Sequence, residues 1–438
     1  MFRPSSKYLL KNYCFLFRTH TRSFLTNEYK CEEAWDAQKS SSLLNTVNLN
    51  DFFTTLTQNY TSKGVISAID VDVFANAIRD STYLDELKEL LHKLRMSAET
   101  GNMLDSTHHA TIRNYIKFGN IQDLVNMLRD PLNYGIFLDN FTANILLDKL
   151  VTSKNYELAA NVAALTMLQE EYSNEITCAL SQYACYKYLT ECSDNIIQEP
   201  VKEEDKKKEE IKIRVKFLRN PYYDDHFDIK EISILSGKTL AWISQQSNNN
   251  IDRNLQIIGW LYYKKYDQML SFCEVLHKIK SFKIYNEVIE LMQKQSDKTE
   301  EAKHIFDRCI SLLNECSKAE IPLEESVKNL IENAINKTQK NDILMQQKLF
   351  EIWINTRENK LKEQLQRLER ARRMEAINLK QKELEGEEQK LWFFENEDNI
   401  DLQIEEKEKL VDTTAKKKSE QNKLDENYIP PEILPKRK

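Results

Sequence analysis

Gly237, Lys238 and Thr239 form the tripeptide that closes a phosphate-cradling loop, where backbone N–H groups and a lysine ammonium hold a nucleotide. Such a loop needs another glycine five residues before Gly237. Ile232 stands there, so Ile232 to Ser236 has no means of wrapping phosphates. His108 and His109 set two imidazoles side by side, without a carboxylate or thiol at a fixed ligand spacing. His92, His226, His277 and His304 show no paired-ligand spacing either. The eight cysteines form no Cys-x-x-Cys pair. Cys178, Cys185 and Cys192 are spaced by seven, as are Cys309 and Cys316. Seven residues along a helix is two turns, about 10 Å, beyond the span of one metal ion. That spacing suits reduced, buried thiols on helix faces. There is no Gly-x-Ser-x-Gly elbow. The sequence offers no catalytic residue, no metal ligands and no cofactor site, and reads as a binding protein rather than an enzyme.

The elements that carry these residues are helical. Only 7 Gly and 8 Pro occur in 438 residues, and both are needed to punctuate sheets and turns. The chain is 41% hydrophobic and 30% charged. No apolar run approaches the roughly 20 residues that span a bilayer, so no membrane insertion is expected. Residues 1–24 differ from the rest. Arg3, Lys7, Lys11, Arg18 and Arg22 are basic, serines and large apolar residues lie between them, and the first acid is Glu28. This is the pattern of a mitochondrial presequence, with a cleavage neighbourhood at Arg22-Ser23-Phe24-Leu25. Its removal takes the formal charge from -7 to -12, by loss of five cations.

Residues 25–64 read as a lead-in anchored by Trp35, Phe52, Phe53 and Leu56, and 65–197 as helical repeats. Residues 198–212 form a charged linker or insert of mixed sign. Helical periodicity resumes over 213–340, a long charged helix is expected over 341–394, and 395–438 reads as a charged tail. In the long helix Ile354, Leu361 and Leu368 recur every seven residues, but Arg372 and Glu375 break the seam. A sustained coiled coil needs three or four clean heptads, so no homo-oligomer is expected.

A repeat is visible at an offset of 35 residues. Laying 107–128 over 142–163 places Thr107 on Thr142, Asn120 on Asn155 and Asn126 on Asn161, with apolar positions coinciding. A weaker copy begins near Asp72. Each copy is a helix, a tight turn and a second helix. One pair cannot bury both of its apolar faces, so neighbours must stack, which gives an all-α solenoid with the first helices on one face.

Tyr134-Gly135-Ile136-Phe137-Leu138-Asp139-Asn140-Phe141-Thr142-Ala143-Asn144 resembles the start of a pentatricopeptide repeat, with Ala159 at its small packing position. Leu138 departs from the pattern, which usually has Pro there. Residues 134–172 look like the family of mitochondrial small-subunit ribosomal proteins numbered twenty-seven, and the likeness extends loosely over 28–190. The resemblance implies a pentatricopeptide-like α-solenoid in the mitochondrial matrix, supporting translation through small-subunit rRNA and neighbouring mitoribosomal proteins. It also implies that Asn144 and His109, one turn into their helices, read base edges, with Asp139 as a second recognition position. The alternative for Asp139 and Asn144 is helix capping.

Charge bears on that expectation. Residues 65–172 hold about fifteen acids against nine bases, whereas RNA affinity comes largely from neutralising phosphates. Basic clusters that could still meet phosphate are Lys88, Lys93 and Arg95; Lys212, Arg214, Lys216 and Arg219; and Arg367, Arg370, Arg372 and Arg373. The aromatic and acidic turn from Phe217 to His226 could dock a partner or plug a solenoid end. Two further readings stay open: a free mitochondrial RNA-binding regulator of translation or transcript stability, and a protein-only scaffold.

Overall fold

A computed structural model describes residues 23–192, 229, 231–296 and 302–426. Most of the expected leader, the charged insert 198–212, the basic residues Arg214, Lys216 and Arg219, and the aromatic turn 217–226 lie outside the described residues. Ser23 and Phe24, placed in the leader by sequence, are described as part of the fold.

The described chain is helical apart from one short parallel pairing, β1 (Lys283–Ile284) with β2 (Ser317–Lys318). Its helices are α1 (Glu32–Lys39), α2 (Ser42–Asn45), α3 (Leu49–Lys63), α4 (Ala68–Ala77), α5 (Leu84–Arg95), α6 (Asp105–Phe118), α7 (Ile121–Leu128), α8 (Asn140–Thr152), α9 (Tyr156–Leu168) and α10 (Glu175–Lys187). There follow α11 (Ile232–Gln245), α12 (Asn250–Tyr262), α13 (Tyr266–His277), α14 (Asn286–Ser296), α15 (Lys303–Asn314), α16 (Leu323–Leu391) and α17 (Phe393–Glu426). The architecture is an all-α helical-repeat solenoid with a long C-terminal helix. The chain forms two units, residues 1–358 and 359–438.

The pairs α4/α5, α6/α7 and α8/α9 are the three sequence repeats. Their matched residues now have physical roles. Asn120 and Asn155 are both N-caps of second helices, accepting from Gln122 N and Leu158 N. Each satisfies a backbone donor that the helix start leaves without an intrahelical partner. Lys154 takes a left-handed conformation (φ 58°) to end α8, and Asn155 N reaches back to Leu150 O at 3.0 Å. The same turn joins α12 to α13: Lys264 has φ 61° and Lys265 N donates to Trp260 O. Helix pairing of the repeat type therefore continues beyond α10.

Gly237 and Gly259 explain two of the few glycines. A Cβ on Gly237 would lie 2.7 Å from Tyr263 N, and one on Gly259 would lie 2.4 Å from Ala241 N. Both permit α11 and α12 to touch backbone to backbone. Gly237-Lys238-Thr239 is thus helix interior, not a loop, and the Lys238 ammonium is buried over the rings of Trp242 and Tyr263. One apolar cluster in the first unit runs from Leu25 through Phe74, Leu91, Ile112, Leu147 and Ala159 to Phe350.

The long helix begins at Leu323, well before the expected residue 341, and helix α17 extends to Glu426 where sequence suggested a tail. In the second unit Leu365, Leu368, Met374, Ile377, Leu384 and Leu391 are exposed. No described helix is long and apolar enough to cross a membrane.

Candidate functional site: the face lined by the first helices

Helices α4, α6, α8 and α10 present a row of polar residues that would be costly to bury without partners. On α4, which is apolar apart from these two and Asp70, Asp72 and Asn76 stand four apart, and both are fully buried. Asp72 Oδ1 accepts from Thr107 Oγ1 at 2.9 Å, from Asn76 Nδ2 at 3.1 Å, and from Ser106. Its Oδ2 accepts from Arg357 Nε at 2.6 Å, and Arg357 is itself buried. A buried carboxylate thus meets a buried guanidinium from α16, 285 residues away.

Several other polar residues on this face bind the N-terminal segment. Asn76 Oδ1 accepts from Gln38 Nε2 at 3.1 Å. Lys39 Nζ donates to Ile78 O and Asn114 Oδ1, each at 2.9 Å, and lies 5.2 Å from the Trp35 ring centre. Burial lowers the Lys39 ammonium from its ordinary 10.5 to about 8, with the Lys117 charge adding to the shift. Arg113 donates to Lys30 O at 2.6 Å and stacks on Trp35. Asp148 on α8 accepts from Ser23 Oγ at 2.6 Å, Phe24 N at 2.9 Å and Leu25 N at 3.4 Å.

The three residues expected to read bases sit in the middle of this arrangement. Asn144 is fully buried; its Nδ2 donates to Tyr29 Oη at 2.8 Å and to Asn174 Oδ1 at 3.3 Å. Tyr29 and Asn174 both donate onward to Asp342 of α16, at 3.4 and 2.9 Å. His109 is 1% exposed and ringed by Trp35, Phe141, Phe350 and Trp353, with centroids 5.0–6.0 Å away. Its Nδ1 lies 3.2 Å from Asp139 Oδ2. Burial pushes His109 below the ordinary imidazole value, partly opposed by Asp139, so the neutral ring donates from Nδ1. Asp139 is the N-cap of α8, accepting from Thr142 N. Asn144 lies inside α8 and caps nothing. Both His109 and Asn144 are thus covered by side chains of the same protein.

The basic residues of α5 are differently placed. Lys88 lies over Tyr134, and Lys93 over Phe53 and Tyr60 while pairing with Glu89 at 2.6 Å. Arg95 Nε donates to Leu132 O at 3.2 Å. All three are half-buried. Arg367, Arg370, Arg372 and Arg373 are exposed, in the second unit. Among the described residues no three His, Cys, Asp or Glu side chains converge as a metal site would require.

Of the residues that close this face, Tyr29, Asp148, Asp342 and Arg357 were not singled out by sequence, and Asp72 only marked the start of a repeat. Asp72 and Asn76 gave the usable signal: two polar residues one turn apart on an apolar helix need partners. The arrangement binds and orients peptide.

Residues 2–383 match the model of the family described as mitochondrial 28S ribosomal protein S27. The chain belongs to that family. Membership makes it a mitochondrial protein of the ribosomal small subunit. Proteins of this ribosomal family are structural and not usually enzymes.

Proposed function

We propose that the protein is a structural component of the small subunit in the mitochondrial matrix. It supports translation by contacting rRNA and neighbouring proteins with its outer surfaces, while its first-helix face is filled from within. One observation carries this reading. The side chains that would read an extended ligand, Asn144 and His109, are instead bonded or packed to Tyr29, Trp35 and Phe350 of the same chain. The 35-residue spacing of the helix pairs and their matched caps at Asn120 and Asn155 support a pentatricopeptide-like reading. Here the row of first helices recognises the protein's own N-terminal segment and α16, and we assign Asn144, His109 and Asp139 to that role. Phosphate contact falls to Lys88, Lys93 and Arg95, with Arg214, Lys216 and Arg219 proposed on charge alone. The free-regulator reading would need an open face and draws no support from this one.

Salt-washed mitochondria provide the test. The native protein is expected to sediment with the small subunit after a high-salt wash. Release into the soluble fraction, together with tight salt-resistant binding of the isolated protein to single-stranded RNA, would overturn the reading in favour of a regulator. A second arm uses Asn144→Ser, which shortens the reach to Tyr29. It should cost about 1 kcal/mol of stability, the scale of one hydrogen bond, and leave crosslinking of the assembled subunit to rRNA unchanged.

A further inference from the structure

We propose that residues 23–25 form the seat of a processed N-terminus: the basic leader is cut before Ser23 or before Phe24, and the new α-ammonium is held against the Asp148 carboxylate. The inference rests on the reading of the basic N-terminal stretch, expected over residues 1–24, as an import leader, and moves its end to residue 22 or 23.

Asp148 is 5% exposed, on the inner side of α8. Its described partners are three neutral donors: the Ser23 hydroxyl and the backbone N–H groups of Phe24 and Leu25. A buried carboxylate held only by neutral donors lacks the countercharge that would offset its desolvation. No side chain from Ser23 to Asn27 can supply a cation. A chain end there can. If Phe24 is first, its nitrogen is already 2.9 Å from Oδ1. If Ser23 is first, its nitrogen is one residue away, and its hydroxyl keeps the bond to Oδ2.

The downstream limit is set by packing. Phe24 stands edge-on to Tyr183 with ring centres 5.8 Å apart, and Leu25 is buried in the core. Cutting past Phe24 would remove that anchor. Ser23, by contrast, is exposed. The last basic residue of the acid-free stretch, Arg22, stands just before it. The step is a hydrolysis by an endopeptidase of the importing compartment, with water as co-reactant. The scissile C–N bond breaks, the water oxygen bonds the carbonyl carbon, and the leader leaves as a carboxylate. The freed amine takes up a proton and becomes the ammonium that pairs with Asp148.

The experiment compares two forms of the full protein: the chain recovered from mitochondria, and the unprocessed chain, with Met1 retained, made outside them. Intact mass and N-terminal sequencing of the recovered chain should begin at Ser23 or Phe24. Melting temperatures are then measured with and without Asp148→Asn. The substitution should lower the melting temperature of the processed chain more than that of the unprocessed one. That excess should fade as pH rises through the α-amino range near 8. Should Asp148→Asn fail to fold, selective acetylation of the processed α-amine, which removes the charge and leaves the core intact, should reproduce the loss. Equal losses in both forms, or no effect of acetylation, overturn the seat. A first residue beyond Phe24 or between positions 2 and 22 overturns it as well. A native chain that still begins at Met1 overturns the leader reading itself, which the mass separates from failure of the seat alone.

Discussion

The first-helix face and the helices of the second unit hold their charges under opposite conditions. At the face, Asp72 and Arg357 meet at 2.6 Å with both side chains almost completely buried, and every oxygen of Asp72 is engaged. In the second unit, Arg373 pairs with Glu369 at 3.8 Å and Lys409 with Glu405 at 3.2 Å, all in solvent. A buried pair cannot lose one member without stranding the other in a medium that solvates charge poorly. An exposed pair hands its lost partner to water. The face is therefore committed to one intramolecular arrangement, while charges such as Arg367 and Arg370 remain available to a partner.

The widest gap between the two regions should come from charge introduced where none is solvated. Ala159 on α9 is fully buried. Ala159→Glu should lower stability by about 4 kcal/mol or more, as burial of an unpaired charge does. A melting temperature unchanged by the substitution would contradict the packing. Next is Asp72→Ala, expected to cost about 3 to 5 kcal/mol because it leaves Arg357 buried without a counterion. A double-mutant cycle with Arg357→Leu should recover much of that loss. If the two losses simply add, the pair does not couple the N-terminal repeats to α16.

A third measurement uses pH. With its folded value lowered to about 8 from 10.5, Lys39 binds fewer protons in the folded than in the unfolded chain between those limits. Its contribution to stability should rise with pH across that window and be flat below it. Other groups titrate there too, so the quantity to follow is the stability of the native chain minus that of Lys39→Met. A difference that falls between pH 8 and 10 would refute the burial of this ammonium. The smallest effect is expected at Lys409→Ala, within about 0.5 kcal/mol, since an exposed i,i+4 pair contributes little. A loss above about 1 kcal/mol would show that the second unit is not the solvated region described here.

Sequence disclosed what is local. The offset of 35 residues anticipated α4 to α9, and Asn120 and Asn155 match because both begin a second helix. Ile232 in place of a glycine excluded the nucleotide loop, which is the interior of α11. What it concealed is long-range and polar. Hydrophobic spacing in the long helix drew attention to Ile354, Leu361 and Leu368. The residues turned inward are Gln346, Phe350, Trp353 and Arg357, spaced by four, three and four. Two of the four are polar, so a search for apolar periodicity passes over them. Asn144 illustrates the same limit. Its position in the repeat was legible, but Tyr29, 115 residues away, decides what it binds.

The bond between Arg357 and Asp72 also fixes an order of events. A chain made or threaded from its N-terminus completes α4, α6 and α8 long before residue 357 arrives. Until then Asp72 has no guanidinium, and His109 lacks two of its four aromatic neighbours, Phe350 and Trp353. Contacts closing so large a loop form late, because the entropy of closure is lost before the contact returns anything. The nascent protein therefore passes through a stage in which its repeats are formed and the part of their inner row that meets α16 lies bare. During that interval it is most open to wrong partners and most in need of a chaperone.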